Sequence, residues 1–346
     1  AKRDCRRRTL AAIDKRHRVP LTTMAHKVFV LLIIALATSR ALAGPLNYFE
    51  SDSTECSSAC PENTKFSFEA DQTYEYKYES DLKTSLGGAS EEHSSLHMRA
   101  TVQLEVVSRC ELVLRLSDVS LQDSKPSQYE SRDHVERLGE FKTGLEAHGL
   151  RFSYQDGTVE HICPDQEDTV WVLNIKRGIL SSLQNNMESL DSSKRVFEMD
   201  VAGTCPTDYE AEGKSWSTLK VKKTKDLLGC MERNGPHTAF EGMPFNVPSD
   251  IQSLPIMKST HECEQNIKNG IITEATCTES HVFRPFSRQS NGAKTEVTSK
   301  LAFYRKFSGV STQQSSMRSR STLLFDHTLS PAERSESMRA ATQSLV

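Results

Sequence analysis

The sequence predicts a mainly β fold with helices: an antiparallel sheet, polar on one face, curved around a lone amphipathic helix. Three observations lead there. Several segments alternate apolar and polar residues with a period of two; Thr73-Tyr74-Glu75-Tyr76-Lys77-Tyr78-Glu79 places three tyrosines on one side and charges on the other. One segment changes to helical spacing, with Ile179, Leu180, Leu183, Met187 and Leu190 on one stripe after Gly178. Finally, the cysteine count is even once an N-terminal leader is set aside, as expected of a bridged chain from an oxidising compartment.

The leader comes first in the chain. Met24 is followed by His26 and Lys27, then by the apolar run from Val28 to Ala37, then by Ala41-Leu42-Ala43. A positive start, an apolar middle and small residues at the cleavage positions make a secretory signal over 24–43, with cleavage after Ala43. A membrane anchor is the competing reading. At ~1.5 Å rise per residue this run covers about half of a ~30 Å hydrocarbon core. Residues 1–23 are arginine-rich, without a hydrophobic period, and are read as an upstream, non-structural leader rather than a nucleic-acid-binding arm. Residues 1–43 hold ten Lys/Arg and two Asp/Glu, so 44–346 carry 33 basic and 44 acidic side chains, a net of −11 rather than −3. Such a surface repels phosphate backbones, which excludes nucleic acid as a partner. No later apolar run is long enough to span a membrane.

Alternation continues at Thr101–Val106 and at Leu112–Leu116, as expected of antiparallel strands covered on one side. A short helix is expected around His134–Glu146. Arg151-Phe152-Ser153-Tyr154 leads into Gln155-Asp156-Gly157-Thr158, and Asp-Gly between extended segments signals a hairpin. Val170-Trp171-Val172-Leu173 reads as a strand buried on both faces. The helix from Ile179 to Leu190 places Ser181, Gln184, Asn185 and Glu188 opposite its apolar stripe, and the concave side of a curved sheet would bury that stripe. Strands resume near 196–201, 215–221, 270–276 and 294–303. Residues 236–255, with Pro236, Pro244, Pro248 and Pro255, form a surface loop, and 308–321 a polar connection. Ser330-Pro331-Ala332-Glu333 is a capping box with proline at the first helical position, so a helix starts there. That helix reaches Val346 without a C-cap, which reads as the front of a longer polypeptide.

Catalytic signatures are missing from the sequence: it holds no nucleophile elbow, Walker loop, dinucleotide glycines or His-Glu-x-x-His. Leu86-Gly87-Gly88-Ala89-Ser90 has no helix start behind it, so it is a turn rather than a phosphate cradle. Cys56-x3-Cys60 and His161-x-Cys163 have no partners at zinc-ligand spacing, so bridges outweigh a metal. His261-Glu262-Cys263 reads as a surface turn beside a bridge. The sharpest basic cluster is Lys220-Val221-Lys222-Lys223-Thr224-Lys225. With Leu219 and Val221 inward, Lys220 and Lys222 face outward, either as a solvated strand face or as a docking patch for anionic lipid, glycan or an acidic receptor. The four lysines Lys220, Lys222, Lys223 and Lys225 are the candidate partner or lipid patch. Lys176-Arg177 reads as an outward turn before a helix, with partner recognition as the alternative.

Four segments together resemble one family: Tyr74-Glu75-Tyr76-Lys77-Tyr78, the run from Val170 through Asn174-Ile175-Lys176-Arg177-Gly178-Ile179 to Ser181, Gly203-Thr204-Cys205-Pro206-Thr207, and His281-Val282-Phe283-Arg284-Pro285-Phe286. They are similar to the N-terminal vitellogenin-type domain of the large lipid transfer proteins, most of all to apolipophorin and apolipoprotein B, over roughly residues 56–346. The resemblance implies a β-barrel around a central helix over 44–328 and the beginning of a helical superhelix domain at 329–346. It implies the pairings Cys60–Cys110, Cys205–Cys230 and Cys263–Cys277, leaving Cys56–Cys163 by elimination. It also implies a non-enzymatic function, lipid transport in an extracellular fluid such as hemolymph or plasma. No cofactor is implied; lipid (phospholipid, diacyl- or triacylglycerol) is cargo of the full-length protein. The implied partners are a lipoprotein receptor or lipid-transfer machinery. The family's lipid cavity lies mostly beyond residue 346. A vitellogenin-type yolk precursor is the alternative within the family, and a secreted hydrolase the alternative outside it.

Overall fold

The computed structural model describes residues 56–57, 60, 65–66, 68–86, 93–123, 132–187, 190, 194–215, 217–232, 257–283, 292–311, 319–326, 328 and 335. The signal segment with Ala43, the proline-rich loop at 236–255, Gly87–Ser90 and the capping box at 330–333 lie outside them. Strands are β1 (Gln72–Leu86), β2 (His93–Ser108), β3 (Glu111–Asp123), β4 (Leu150–Gln155), β5 (Thr158–Cys163), β6 (Lys194–Asp200), β7 (Gly203–Ser215), β8 (Thr218–Lys225), β9 (Met257–Lys268), β10 (Ile271–Phe283) and β11 (Ala293–Ser308). Among the described residues the helices are α1 (Arg132–Ala147) and α2 (Val170–Ser182).

All strands join one antiparallel sheet in the order β5-β4-β3-β2-β1-β11-β10-β9-β8-β7-β6. Local chemistry sets the tight connections. Asp156 and Gly157 both adopt positive φ (47° and 94°) between β4 and β5, as do Asn269 and Gly270 (53° and 73°) between β9 and β10. That is the two-residue turn whose twist matches a right-handed hairpin. A side chain at Gly157 would also meet the Asn185 carbonyl at 2.3 Å, so only glycine fits there. On β1 the two-sided parity holds, with Tyr74, Tyr76 and Tyr78 in the core and Lys77 and Glu79 exposed on the other side, where Thr73 and Glu75 are nonetheless covered. The tyrosines enter an aromatic core: Phe68 meets Tyr74 edge-on at 4.9 Å, and Tyr76 meets Phe303 at 5.5 Å.

The sheet curves around the C-terminal end of α2. Tyr154 on β4 donates its hydroxyl to the Leu183 carbonyl, Lys223 on β8 reaches the Ser181 and Gln184 carbonyls, and Gln265 on β9 donates to those of Ser182 and Gln184. The expected closed barrel needs correction. β5 and β6 are the two ends of the sheet and share no ladder. Residue 184 occupies the seam instead. The Gln184 amide accepts from Val159 N–H on β5 at 2.7 Å and donates to Met199 C=O on β6 at 2.5 Å. One buried side chain therefore joins the two edges where a closing ladder would otherwise run.

Two helical expectations also change. Val170-Trp171-Val172-Leu173 is the first turn of α2, not a strand, because a short apolar run has no periodicity to separate the two. The helix ends at Ser182, with Leu183 as its C-cap. Gln184 and Asn185, expected opposite the apolar stripe, are 1% and 0% exposed. α1 covers β3, with Phe141 stacked on Trp171 at 5.5 Å and Glu146 accepting the Val119 N–H at 2.8 Å.

Candidate functional site

The basic cluster on β8 splits by strand parity. Successive side chains point to opposite faces, so Leu219, Val221, Lys223 and Lys225 share the inner face while Lys220 and Lys222 point outward. This corrects the four-lysine patch: Lys223 is 0% and Lys225 3% exposed. The outer pair is matched by the neighbouring strand, Lys220 with Glu264 at 3.4 Å and Lys222 with Glu262 at 3.3 Å. The solvated strand face describes these two, and their charge is largely cancelled locally.

Inside, the register of β6, β7 and β8 brings Glu198, Asp200 and Tyr209 to the two buried ammonium groups. Lys223 Nζ lies 3.1 Å from Glu198 Oε1 and donates to the Gln184 carbonyl at 2.9 Å. Lys225 Nζ lies 2.6 Å from the same oxygen and also contacts Asp200. Tyr209 donates its hydroxyl to Glu198. Two cations and two anions make a neutral buried cluster, the condition under which burying charge is tolerable. Burial alone would raise the Glu198 carboxyl, but Lys223 and Lys225 outweigh it and hold the group down to about 2. Burial lowers Lys223, whereas Asp200 and Glu198 overcome burial and raise Lys225. Asn185 extends the network through its amide to Gln265 Oε1 at 2.9 Å.

A second buried polar set lies on α2. Lys176 and Arg177, expected on an outward turn, are instead interior positions of the helix, 0% and 3% exposed. Lys176 Nζ donates to the His148 carbonyl at 2.8 Å and pairs with Asp168 at 3.2 Å. Arg177 donates to Asn174 Oδ1 at 2.9 Å and to the Thr322 carbonyl at 3.2 Å. Asn174 then holds Asp326 at two points. Its amide donates to the Asp326 carbonyl at 2.8 Å, and Asp326 N–H donates back to Asn174 Oδ1 at 3.0 Å. Ser321 pairs with Ile162 of β5 through both backbone groups. The run Asn174 to Arg177 thus clasps residues 321–326 to the helix and covers one edge of the sheet.

The cysteines sit at the strand ends and across one ladder. Cys56 is bonded to Cys163 (Cα–Cα 5.8 Å), Cys60 to Cys110 (5.6 Å), Cys205 to Cys230 (4.0 Å) and Cys263 to Cys277 (4.0 Å). Cys263 and Cys277 face each other directly on β9 and β10. His261 precedes them on β9 within the strand, which corrects the expected surface turn. Burial lowers its imidazole to about 4. His261, Cys263 and Cys277 converge within 4.8 Å, but the two sulfurs are bonded to each other and offer no thiolate to a metal.

Strand parity alone could have placed Lys223 and Lys225 inside. Glu198, Asp200, Tyr209 and Gln184, by contrast, are joined to them only by long-range register, and no local sequence signal marks them. What these groups do chemically is stabilise: each buried charge is consumed by a fixed partner.

Comparison with known proteins gives a consistent picture. The family model described as Vitellogenin N-terminal domain matches residues 68–309. Apolipophorins of Locusta migratoria are 33% identical over 280 residues, covering 79% of this chain and 8% of theirs. Vitellogenin of Penaeus merguiensis is 30% identical over 261 residues (74% of this chain, 9% of that protein). Apolipoprotein B-100 of Homo sapiens is 24% identical over 278 residues (78% and 6%). The chain therefore spans less than a tenth of the length of these relatives. Among solved structures, one described as "Lipid-protein interactions in lipovitellin" shares the fold with a TM-score of 0.63 at 21% identity, over 77% of this chain and 28% of that one.

Proposed function

The chain belongs to the vitellogenin N-terminal domain family, and from that premise we propose that it is the N-terminal domain of a secreted lipoprotein scaffold that carries lipid in an extracellular fluid. The observation that carries this reading is the joint match of family model and fold over the same sheet. The domain's part is to fold as a rigid, disulfide-pinned sheet and to contact partner proteins, a receptor or lipid-transfer machinery, while larger downstream sheets assemble the lipid cavity. The signal at 24–43, cut after Ala43, delivers it to the secretory route. Its function is non-catalytic and needs no cofactor, with lipid as cargo of the full-length protein. The outer lysines Lys220 and Lys222 belong to a solvated strand face, paired with Glu264 and Glu262, whereas Lys223 and Lys225 serve the core.

The test is buoyant-density fractionation of extracellular fluid, probed with an antibody to residues 68–309, followed by lipid extraction. Recovery of the antigen with lipid at low density is expected; recovery only in the lipid-free fraction would refute the reading. Lipid-ester turnover by the purified protein would refute the non-catalytic part. A yolk-precursor role is the second reading, favoured by the 30% identity to Penaeus merguiensis vitellogenin. Accumulation of the antigen in oocytes would select it.

A further inference from the structure

The outer face of the central strands carries a feature that neither the core nor the clasp uses. Where β1 pairs with β11 the register slips: Glu75 faces Arg305 and Tyr76 faces Phe303, leaving Tyr304 as an extra residue in a β-bulge. Bulges re-aim side chains out of the pleat. Phe303 turns into the core while Tyr304 is 61% exposed. Around it runs an alternating row of cations and rings. Lys77 Nζ lies 5.3 Å from the Tyr304 ring centre, Arg305 lies 5.5 Å from it on the bulged strand, and Arg305 is 5.4 Å from the ring of Phe307, itself 38% exposed.

The charge arrangement points outward. Arg305 pairs with Glu75 at 3.1 Å, but the arginine side chain is 60% exposed and the carboxylate side chain 5%. The negative charge is thus sunk beneath the surface and the positive charge stands above it. Lys77 spends one proton on Thr101 Oγ1 at 2.8 Å and has two more to donate. β1 is hydrogen-bonded to β2 and to β11 along most of its length, whereas β11 beyond Ala302 pairs with β1 alone. Tyrosine and phenylalanine beside lysine and arginine is the mixture that settles at the boundary between headgroups and acyl chains.

We propose that Lys77, Tyr304, Arg305 and Phe307 form a docking surface for a phospholipid headgroup layer, with the rings in the interfacial zone and the two cations on phosphate oxygens. The choice of a lipid partner rests on the lipid-carrier reading; the surface itself rests on the bulge and the charge geometry.

The test uses the full-length secreted protein with vesicles of phosphatidylcholine and phosphatidylglycerol containing a photoreactive phosphatidylcholine. After irradiation and trypsin, adducts are expected on the peptide Leu301-Ala302-Phe303-Tyr304-Arg305 above the average over all peptides. In Tyr304→Ser/Phe307→Ser the labelling elsewhere should persist and that at 301–305, read on the altered peptide, should fall about tenfold. Lys77→Gln, which gives up the Thr101 contact but removes no core side chain, should lower it severalfold while the urea midpoint falls by no more than about 0.3 M. Absence of adducts at 301–305, or equal labelling in the double variant, would overturn the proposal. If the particle still floats with lipid in that case, the surface alone is wrong; if it carries no lipid, the lipid-carrier reading fails as well.

Discussion

Replacing Gln184 with leucine tests how the open sheet is held shut. The side chain is 1% exposed and its amide makes two hydrogen bonds, one to each edge strand. Leucine keeps most of the volume and the Gln184 carbonyl that receives Lys223 and Gln265. What it removes is the acceptor for Val159 N–H and the donor to Met199 C=O. The buried Val159 N–H loses its partner at a cost of about 1–3 kcal/mol, and the part-buried Met199 C=O, which water can reach, adds less, so the variant should lose about 3 kcal/mol. With a urea slope of about 3 kcal/mol/M the midpoint would fall by about 1 M. Hydrogen exchange gives a local check: Val159 should exchange far faster in the variant, while amides in the middle of the β1–β2 ladder keep their protection relative to global unfolding. A loss below about 0.5 kcal/mol, the range of an ordinary surface substitution, would refute the seam, as would unchanged exchange at Val159.

Other expectations follow from the same network. Lys223→Met should cost about 3–5 kcal/mol, because it strands part of the Glu198 charge in the interior. Lys220→Met and Lys222→Met should each change stability by less than about 1 kcal/mol, since both pairs are solvent-exposed; equal effects inside and outside would contradict the parity assignment. Acid should destabilise the domain in two windows, measured by urea midpoints against pH. The His261 imidazole is held down at about 4, so the unfolded chain binds the extra proton between about 6.5 and 4 and stability falls there. The Glu198 carboxyl is held at about 2 against 4.5, so its contribution of about 3 kcal/mol is present above pH 4.5 and disappears towards pH 2. His261→Gln should flatten the first window and Glu198→Gln the second; unchanged profiles would count against both assignments. Asn174→Ala should cost about 1–3 kcal/mol and speed exchange of the Asp326 amide, leaving the sheet protected; full protection at Asp326 would exclude the clasp.

Much of the architecture is legible in local chemistry. Alternation on β1, the Asp156-Gly157 hairpin and the helix near His134 all depend on neighbours within a few residues, and such signals survive in any context. Misreadings arise where burial erases the polar face that a pattern needs. Val170 to Leu173 looks like a doubly buried strand because the helix it begins is itself enclosed by the sheet. Lys176, Arg177, Gln184 and Asn185 look like solvent-facing residues because sequence pattern equates polar with exposed, and a satisfied buried network breaks that equation.

The residues by themselves determined the mainly β class of the protein and its kinship through the Asn174 to Ile179 stretch. Only the tertiary structure decided what that stretch does, which lysines face outward, and that the sheet stays open. The physical reason is range. Side-chain parity and turn chemistry act between neighbours, whereas the partners of Lys223, Arg177 and Gln184 are brought to them from distant parts of the chain by strand register. Register depends on the summed packing of the whole inner face, and no single segment of sequence contains it.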